Sequence, residues 1–172
     1  DKDLVDKIRY AMHRLQGVYS LTIMTKDRLF GVRDPLGLRP LSLGKINGGW
    51  ILASETCALD HIGATFIREI EPGEIVAIGK DGLKSYPEES GKRALCIFEY
   101  IYFARLDSTI NGRLLYLARQ AMGARLAEEY PVDADLVVGV PDSAIAAATG
   151  YAQRSGIPLA EGLVKNRYVG RT

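Results

Sequence analysis

The first half of the chain alternates short apolar runs with turn-forming residues. Its opening segment differs, because apolar residues recur at helical spacing over residues 3–15 and predict an amphipathic helix that ends before Gly17. Two apolar stretches follow at 18–24 and 29–32, separated by a short polar turn. The pattern therefore predicts a helix followed by two paired strands.

The same alternation of strand and turn continues further along the chain. Apolar residues at 41–43 and 50–53 flank Asn47-Gly48-Gly49, a strong hairpin signal. Similar segments predict strands at 66–70, 74–78 and 83–86 and a short helix near 56–62. Closely spaced strands joined by tight turns favour antiparallel sheets in this half of the chain.

The pattern changes at the polar run of residues 87–92, which is the best candidate for a linker. Beyond it, residues 114–129 have a helical period, and residues 134–140 form an apolar run typical of a buried parallel strand. An alanine-rich helix is predicted over 143–153 and a short strand over 157–160. Strand, helix and strand in this order predict a βαβ unit.

Composition adds few constraints. The 172 residues include 22 Lys and Arg and 21 Asp and Glu, for a net charge of +1, and 47% are hydrophobic. This is enough apolar material for a core, and it indicates neither a nucleic-acid surface nor a membrane surface. Cys57 and Cys96 lack the spacing of a disulfide framework or a zinc site, so a reducing cytoplasm is expected.

The segment VVGVPDS at 137–143 carries the clearest chemical signal. Here the predicted buried strand ends and a helix is expected to begin at Asp142 or Ser143. Ligands of open α/β sheets bind at the carboxyl ends of strands, and a helix N-terminus there binds phosphate. The Ser143 hydroxyl can help hold Mg²⁺ beside a phosphate. The alternative is that Asp142 and Ser143 are ordinary helix caps.

Two further segments each allow two interpretations. Residues 162–172 contain Lys165, Arg167 and Arg171 without a regular period, which fits either a mobile basic loop near an anionic substrate or a solvated surface loop. Residues 98–105 are dense in aromatic side chains. They fit either a core strand at a domain interface or a wall lining a passage between sites.

Six segments, in order along the chain, resemble the amidophosphoribosyltransferase family. Three resemble its glutaminase domain, and three resemble the start of its phosphoribosyltransferase domain. They are DPLGLRPL at 34–41, ASETCA at 53–58, EIEPGE at 69–74, FEYIYFARLDS at 98–108, GVPDS at 139–143 and LVKNRYVGRT at 163–172.

The resemblance implies two domain portions with different folds. Residues 1–92 would be the C-terminal portion of a glutamine amidotransferase type 2 domain, an α+β fold of the N-terminal-nucleophile glutaminase type with antiparallel β layers. Residues 93–172 would be the N-terminal portion of an α/β type I phosphoribosyltransferase domain.

The resemblance also implies an activity. Such an enzyme is a glutamine-dependent glycosyltransferase of de novo purine biosynthesis, in which ammonia from glutamine displaces pyrophosphate from phosphoribosyl pyrophosphate to give 5-phosphoribosylamine. Its partners would be glutamine, phosphoribosyl pyrophosphate and nucleotide feedback inhibitors. A homo-oligomer in the cytoplasm is implied, with no nucleic-acid or membrane partner. The number of subunits and the identity of the nucleotides do not follow from the sequence.

Roles for individual residues follow from the same resemblance. Ser143 corresponds to a serine associated with Mg²⁺ in the substrate loop, and Asp142 belongs to that loop. Lys165, Arg167 and Arg171 correspond to a flexible loop that closes over the substrate and excludes water.

A [4Fe–4S] cluster is also implied. Cys96 corresponds to a cluster ligand in one branch of the family, and four thiolates are normally needed. The other three ligands are expected beyond Thr172, whereas Cys57 is interpreted as a small buried residue.

The chain departs from the family in three places. Residue 1 is Asp1 and not the cysteine nucleophile, which is expected upstream of it; the paired-aspartate motif, expected beyond Thr172, is missing; and Leu106 replaces a usual proline. We therefore expect a segment of a longer enzyme, with both ends cut or processed, that hydrolyses no glutamine by itself.

Two alternatives to this enzyme stay open. One is a non-catalytic regulatory or interaction protein derived from it, which flanking sequence would distinguish. The other is a different glutamine amidotransferase, such as a glucosamine-phosphate synthase. The segments at 139–143 and 165–172 argue against this second alternative, because they resemble phosphoribosyl transfer motifs.

Overall fold

A computed structural model describes residues 2–88 and 92–170, with side chains from Leu4 onward. The chain divides into two compact units, residues 1–96 and 97–172. This division lies close to the boundary predicted after residue 92. Arg171 and part of the predicted linker lie outside the described residues.

In its described residues the first unit contains two helices and seven strands. They are α1 (Lys2–Met12), β1 (Ser20–Met24), β2 (Leu29–Arg33), β3 (Ser42–Ile46), β4 (Gly49–Ala53), α2 (Thr56–His61), β5 (Thr65–Glu69), β6 (Ile75–Gly79) and β7 (Gly82–Tyr86). The strands form two antiparallel sheets, in the orders β1-β2-β6-β7 and β4-β3-β5. The predicted helices and the antiparallel arrangement are thus confirmed.

The turn between β5 and β6 does not form a hairpin, although the two strands are close in sequence. Strand β5 pairs with β3, whereas β6 pairs with β2 in the other sheet. Ile70 and Ile75, at the two ends of this crossing, are fully buried. The connection therefore carries the chain from one sheet to the other through the core.

The core of the first unit has two layers of side chains, one on each face of the first sheet. Because neighbouring strand residues point to opposite faces, Ile75 and Val76 of β6 enter different layers. On one face the sheet packs against the apolar side of α1, through Val5, Ile8, Met12, Phe30, Val32, Ile75 and Ala77. On the other face the cluster contains Leu41, Leu43, Ile70 and Val76. The first sheet is therefore buried between the helix and the second sheet.

The second unit is built around a pair of packed helices. Its elements are a short π-helical turn (Glu99–Phe103), β8 (Thr109–Ile110), β9 (Arg113–Leu114), α3 (Leu115–Glu129) and α4 (Ile145–Ser155). Helices α3 and α4 touch at backbone level. A Cβ atom placed on Gly123 would lie 1.8 Å from the Ala147 carbonyl oxygen, and one on Gly150 would lie 1.9 Å from the Gln120 carbonyl oxygen. The two glycines therefore set how closely these helices pack.

The prediction of a buried strand over 134–140 is wrong. Among the described residues the segment forms only an isolated parallel bridge, between Val137 and Leu159, with the Val137 N–H donating to the Pro158 carbonyl at 2.9 Å. Leu136 and Val140 are 55% and 60% exposed, because a single bridge on one side leaves the faces of the segment uncovered among the described residues. The parallel direction and the intervening helix of the predicted βαβ unit are confirmed.

The prediction of a core strand over 98–105 is also wrong. The segment is helical, and Phe98, Tyr102 and Phe103 are about half exposed. Only Tyr100 and Ala104 among its apolar residues enter the core, where they pack beside Ile110 and Leu115. Aromatic density therefore did not indicate strand structure here. Within the described part of the chain, no helix is both long and apolar enough to span a bilayer.

Candidate functional site

The loop that precedes α4 contains the predicted phosphate-binding residues. Helix α4 begins at Ile145, and its N-cap is Ala144, which makes no side-chain capping hydrogen bond. Pro141, Asp142 and Ser143 instead form a turn before the helix, with a cis peptide between the first two. The interpretation of Asp142 and Ser143 as helix caps is therefore wrong, and so is a helix start at either residue.

Asp142 is held by a contact outside the helix. Its Oδ2 accepts a hydrogen bond from the Lys165 Nζ at 3.1 Å, and both side chains are about half exposed. The structure thus brings together Asp142 and Lys165, which are far apart in sequence.

A cleft of about 270 Å³ lies on one side of this ion pair. It is lined by both partners, by Arg167 and by the apolar residues Ile145 and Leu159. Two predicted cations, Lys165 and Arg167, therefore border the same space as the loop. Arg171 is outside the described residues, so its predicted place here is not tested.

A second cleft, of about 770 Å³, lies on the side of the loop where Ser143 is found. Its charged lining includes Arg105, Arg119 and Lys165, and Asp107 pairs with Arg105 at 2.8 Å. The Ser143 side chain is partly buried and makes no hydrogen bond to another described residue. Its hydroxyl is thus available to bind a ligand in a cleft that is lined partly by cationic side chains.

Arg119 also lies at this site, although it was not expected there from the sequence. It lies on α3, is only 3% exposed, and donates to the carbonyls of Tyr100 at 2.5 Å and Ala104 at 2.8 Å. Its Nη1 also donates to the Ser143 carbonyl at 3.4 Å. The sequence does contain a sign that Arg119 is buried. It lies in a stripe of positions spaced by four on α3, with Leu115 and Gly123, and the other residues of this stripe are small or apolar.

The two cysteines have different environments. Cys57 is buried in α2 with its Sγ 3.7 Å from a carboxylate oxygen of Glu55, in agreement with the prediction of a small buried residue. Cys96 is partly buried, and neither thiol is in a disulfide. Among the described residues, no group of three or more Cys, His, Asp or Glu side chains is arranged to hold a metal ion.

Comparisons with known proteins give matches that agree with one another. Residues 3–61 match a family model described as a glutamine amidotransferase domain. Amidophosphoribosyltransferases of Mycobacterium tuberculosis and Synechocystis are 54% and 55% identical, over 92% and 99% of this chain. The chain belongs to the amidophosphoribosyltransferase family. It covers 30% and 35% of those two proteins, so it spans about a third of the length of these relatives.

A solved structure extends the match to three dimensions. The Bacillus subtilis glutamine phosphoribosylpyrophosphate amidotransferase, in complex with ADP and GMP, superposes with a TM-score of 0.94 at 49% sequence identity. The superposition covers 98% of this chain and 37% of that protein. Together with the antiparallel sheets of the first unit, this match confirms the predicted fold class.

Proposed function

We propose that this chain is part of an amidophosphoribosyltransferase. The whole protein would be a glutamine-dependent glycosyltransferase that uses ammonia from glutamine to displace pyrophosphate from phosphoribosyl pyrophosphate, an early reaction of purine biosynthesis. The observation that carries the proposal is the 49% identity, over 98% of the chain, to a phosphoribosylpyrophosphate amidotransferase of the same fold. The Asp142–Lys165 contact adds support, because it joins the two segments that resemble substrate-binding motifs.

The charges around the loop suit a phosphorylated substrate. Lys165 and Arg167 border one cleft, and Arg105 and Lys165 border the other. Cations near phosphate oxygens form charge-assisted hydrogen bonds, which are about twice as strong as neutral ones. We infer that phosphate groups bind beside the 141–143 turn.

Opening the ion pair at this site costs little. An exposed pair such as Lys165 with Asp142 contributes only about 0–1 kcal/mol, so a phosphate can compete for the lysine. Release of Lys165 would also free the Asp142 carboxylate. The basic segment would then close over the bound substrate and exclude water, as proposed for Lys165, Arg167 and Arg171 together.

The oxygen donors of the turn fit Mg²⁺. A hard cation takes oxygen ligands, and Mg²⁺ commonly binds one or two protein groups together with substrate phosphates. Ser143 and Asp142 would supply a hydroxyl and a carboxylate. When bound, the ion would neutralise charge on the pyrophosphate leaving group.

Substitution of Ser143 by alanine in the complete gene product tests this site. We expect the Mg²⁺ or phosphoribosyl pyrophosphate requirement to rise about 10- to 100-fold, because a hydrogen bond to a charged group contributes about 1.5–3 kcal/mol. Pyrophosphate release at varied Mg²⁺ and substrate concentrations measures the effect. Glutamine hydrolysis without the second substrate should change little.

Ser155→Ala is the matched control, since Ser155 lies at the other end of α4 and its hydroxyl bonds the Ala152 carbonyl. It should leave both requirements unchanged. Equal requirements for the Ser143→Ala and wild-type proteins would contradict the ligand role of Ser143. Absence of pyrophosphate release by the wild-type protein would instead favour a non-catalytic regulatory protein.

We further propose that Cys96 is one ligand of a [4Fe–4S] cluster in the whole protein. Its thiol is partly exposed at the end of the first unit and so is accessible to a cluster, whereas Cys57 is buried. Because the described residues offer no set of three ligands, the remaining thiolates must come from elsewhere in the protein.

Iron and sulfide analysis of the complete gene product tests the cluster. Cys96→Ser is expected to lose the cluster and its visible absorption, since three thiolates hold it poorly. Cys57→Ser serves as the control and should keep full iron and sulfide content. Retention of both elements by Cys96→Ser would overturn the assignment.

Regulation and assembly are proposed from the same family membership. The Bacillus subtilis relative was solved with ADP and GMP, which supports purine nucleotides as feedback inhibitors of this protein. We also propose a homo-oligomer and a cytoplasmic location, where both free thiols would stay reduced.

A further inference from the structure

We propose that Arg119 is a positioning residue that ties the 141–143 turn to the π-helical turn Glu99–Phe103 and thereby sets the affinity of the turn for pyrophosphate groups. The ligand named here rests on the proposed function. The contact itself rests on the geometry of the second unit. Arg119 is not placed in contact with the substrate, and it acts through the backbone of Ser143.

Burial of the Arg119 guanidinium requires compensation. A charged group removed from water is costly unless it is hydrogen-bonded, and Arg119 is 3% exposed. An apolar side chain at this position on α3 would fill the space without that cost. The hydrogen bonds that the guanidinium donates offset this cost.

Those hydrogen bonds join two separate segments. The planar guanidinium presents five N–H donors in a fixed fork. Some of them reach the carbonyls of Tyr100 and Ala104, at the end of the π-helical turn, where carbonyls lack partners within the helix. Another reaches the Ser143 carbonyl at 3.4 Å. One side chain thus links the aromatic turn to the candidate substrate loop.

The helix that carries Arg119 is a rigid base for this link. Helices α3 and α4 are in backbone contact at Gly123 and Gly150, so Arg119 and the start of α4 are held at a fixed separation. The N-terminus of α4 has no side-chain cap of its own. The position of Ser143 therefore depends on Arg119, and a shift of about 1 Å at such a site can cost about 100-fold in activity.

Three variants of the complete gene product test the inference. Arg119→Met removes the guanidinium group and fills a similar volume. Arg119→Lys keeps the positive charge but lacks the planar set of N–H donors. Arg125→Met is the control, because Arg125 lies on the same helix with its guanidinium exposed and paired with Glu128 and Glu129.

We expect Arg119→Met to raise the KM for phosphoribosyl pyrophosphate at least about tenfold, with a smaller change in kcat. Arg119→Lys should raise the KM by a lesser factor, and Arg125→Met should leave it unchanged. Inorganic pyrophosphate, tested as an inhibitor, should bind Arg119→Met more weakly by a similar factor. Glutamine hydrolysis without the second substrate should stay near the wild-type rate in all three variants.

The outcomes separate this inference from the proposed function. If the wild-type protein transfers ammonia and both Arg119 variants keep its KM and its pyrophosphate affinity, Arg119 is structural and the inference fails. If Arg119→Met does not fold, the KM of Arg119→Lys decides in the same way. If the wild-type protein itself releases no pyrophosphate, the proposed function fails, and binding of inorganic pyrophosphate to the Arg119→Lys and wild-type proteins then decides the positioning role.

Discussion

Replacing Gly123 by alanine is expected to destabilise the protein by about 3 kcal/mol. The added Cβ would lie 1.8 Å from the Ala147 carbonyl oxygen and 2.7 Å from the carbonyl carbon, so α3 and α4 must separate. At an exposed helical position the same substitution stabilises a protein by about 0.5–1 kcal/mol. A destabilising effect would therefore be caused by the contact between the two helices and not by helix propensity.

Urea unfolding followed by circular dichroism measures this effect. Ala121→Ser is the control, because it adds one heavy atom at an exposed position of α3 and should change the unfolding free energy by less than about 0.5 kcal/mol. A neutral or stabilising Gly123→Ala would show that the two helices do not pack at this distance.

Replacing Glu74 by glutamine is expected to lower the unfolding free energy by about 3 kcal/mol at neutral pH. The Glu74 carboxylate is buried and accepts hydrogen bonds from Arg68 at 2.6 and 2.7 Å, from the Glu71 N–H at 2.7 Å and from the Ser85 hydroxyl. Arg68 lies on β5 and Ser85 on β7, so Glu74 connects the two sheets. A glutamine side chain would place its NH2 group against at least one of these N–H or O–H donors, so that hydrogen bond would be lost.

The effect of this substitution should depend on pH. Burial opposes ionisation of Glu74, but the hydrogen bonds from Arg68, Ser85 and the Glu71 N–H outweigh it and bring the pKa below its ordinary value of 4.5. The stabilisation by the ionised form is therefore fully present above pH 4.5 and is lost as the pH falls through the lowered pKa. Unfolding free energies of wild type and Glu74→Gln should converge below about pH 4.5.

Glu71→Gln is the control for this prediction. Glu71 lies in the same turn, but its side chain is exposed and its pair with Arg93, at 3.5 Å, is also exposed. Its substitution should change the unfolding free energy by less than about 0.5 kcal/mol. Stability curves of wild type and Glu74→Gln that stay parallel from pH 7 to about pH 3 would show that the pKa of Glu74 is the same in the folded and unfolded states.

Much of the first unit could be predicted from the sequence because its signals are local. The hairpin of β3 and β4 follows from Asn47-Gly48, whose positive φ angles of 48° and 80° suit a two-residue turn. Helix α1 follows from its apolar period, which its buried Val5 and Ile8 confirm. Such features depend only on residues that are close together in the sequence.

The candidate site could be predicted only in part. The sequence indicated Ser143, Asp142 and Lys165 as substrate-loop residues through resemblance to a family, and the structure brings the last two into contact. Arg119 was missed despite its place in the apolar stripe of α3, because a cation on a helix is ordinarily solvated. Nor did the sequence show that the residues before α4 form a turn and not the helix cap.

The sequence by itself determined the order and type of most elements, the division into a β-rich part and an α/β part, and the family. Only the tertiary structure decided that β5 and β6 enter different sheets, that residues 98–105 are helical and that the 134–140 segment is exposed. It also decided that Arg119 joins two distant segments. The physical reason is that hydrophobic period and turn chemistry act over a few residues, whereas sheet partners, burial and the acceptors of a buried cation depend on residues far apart in the chain.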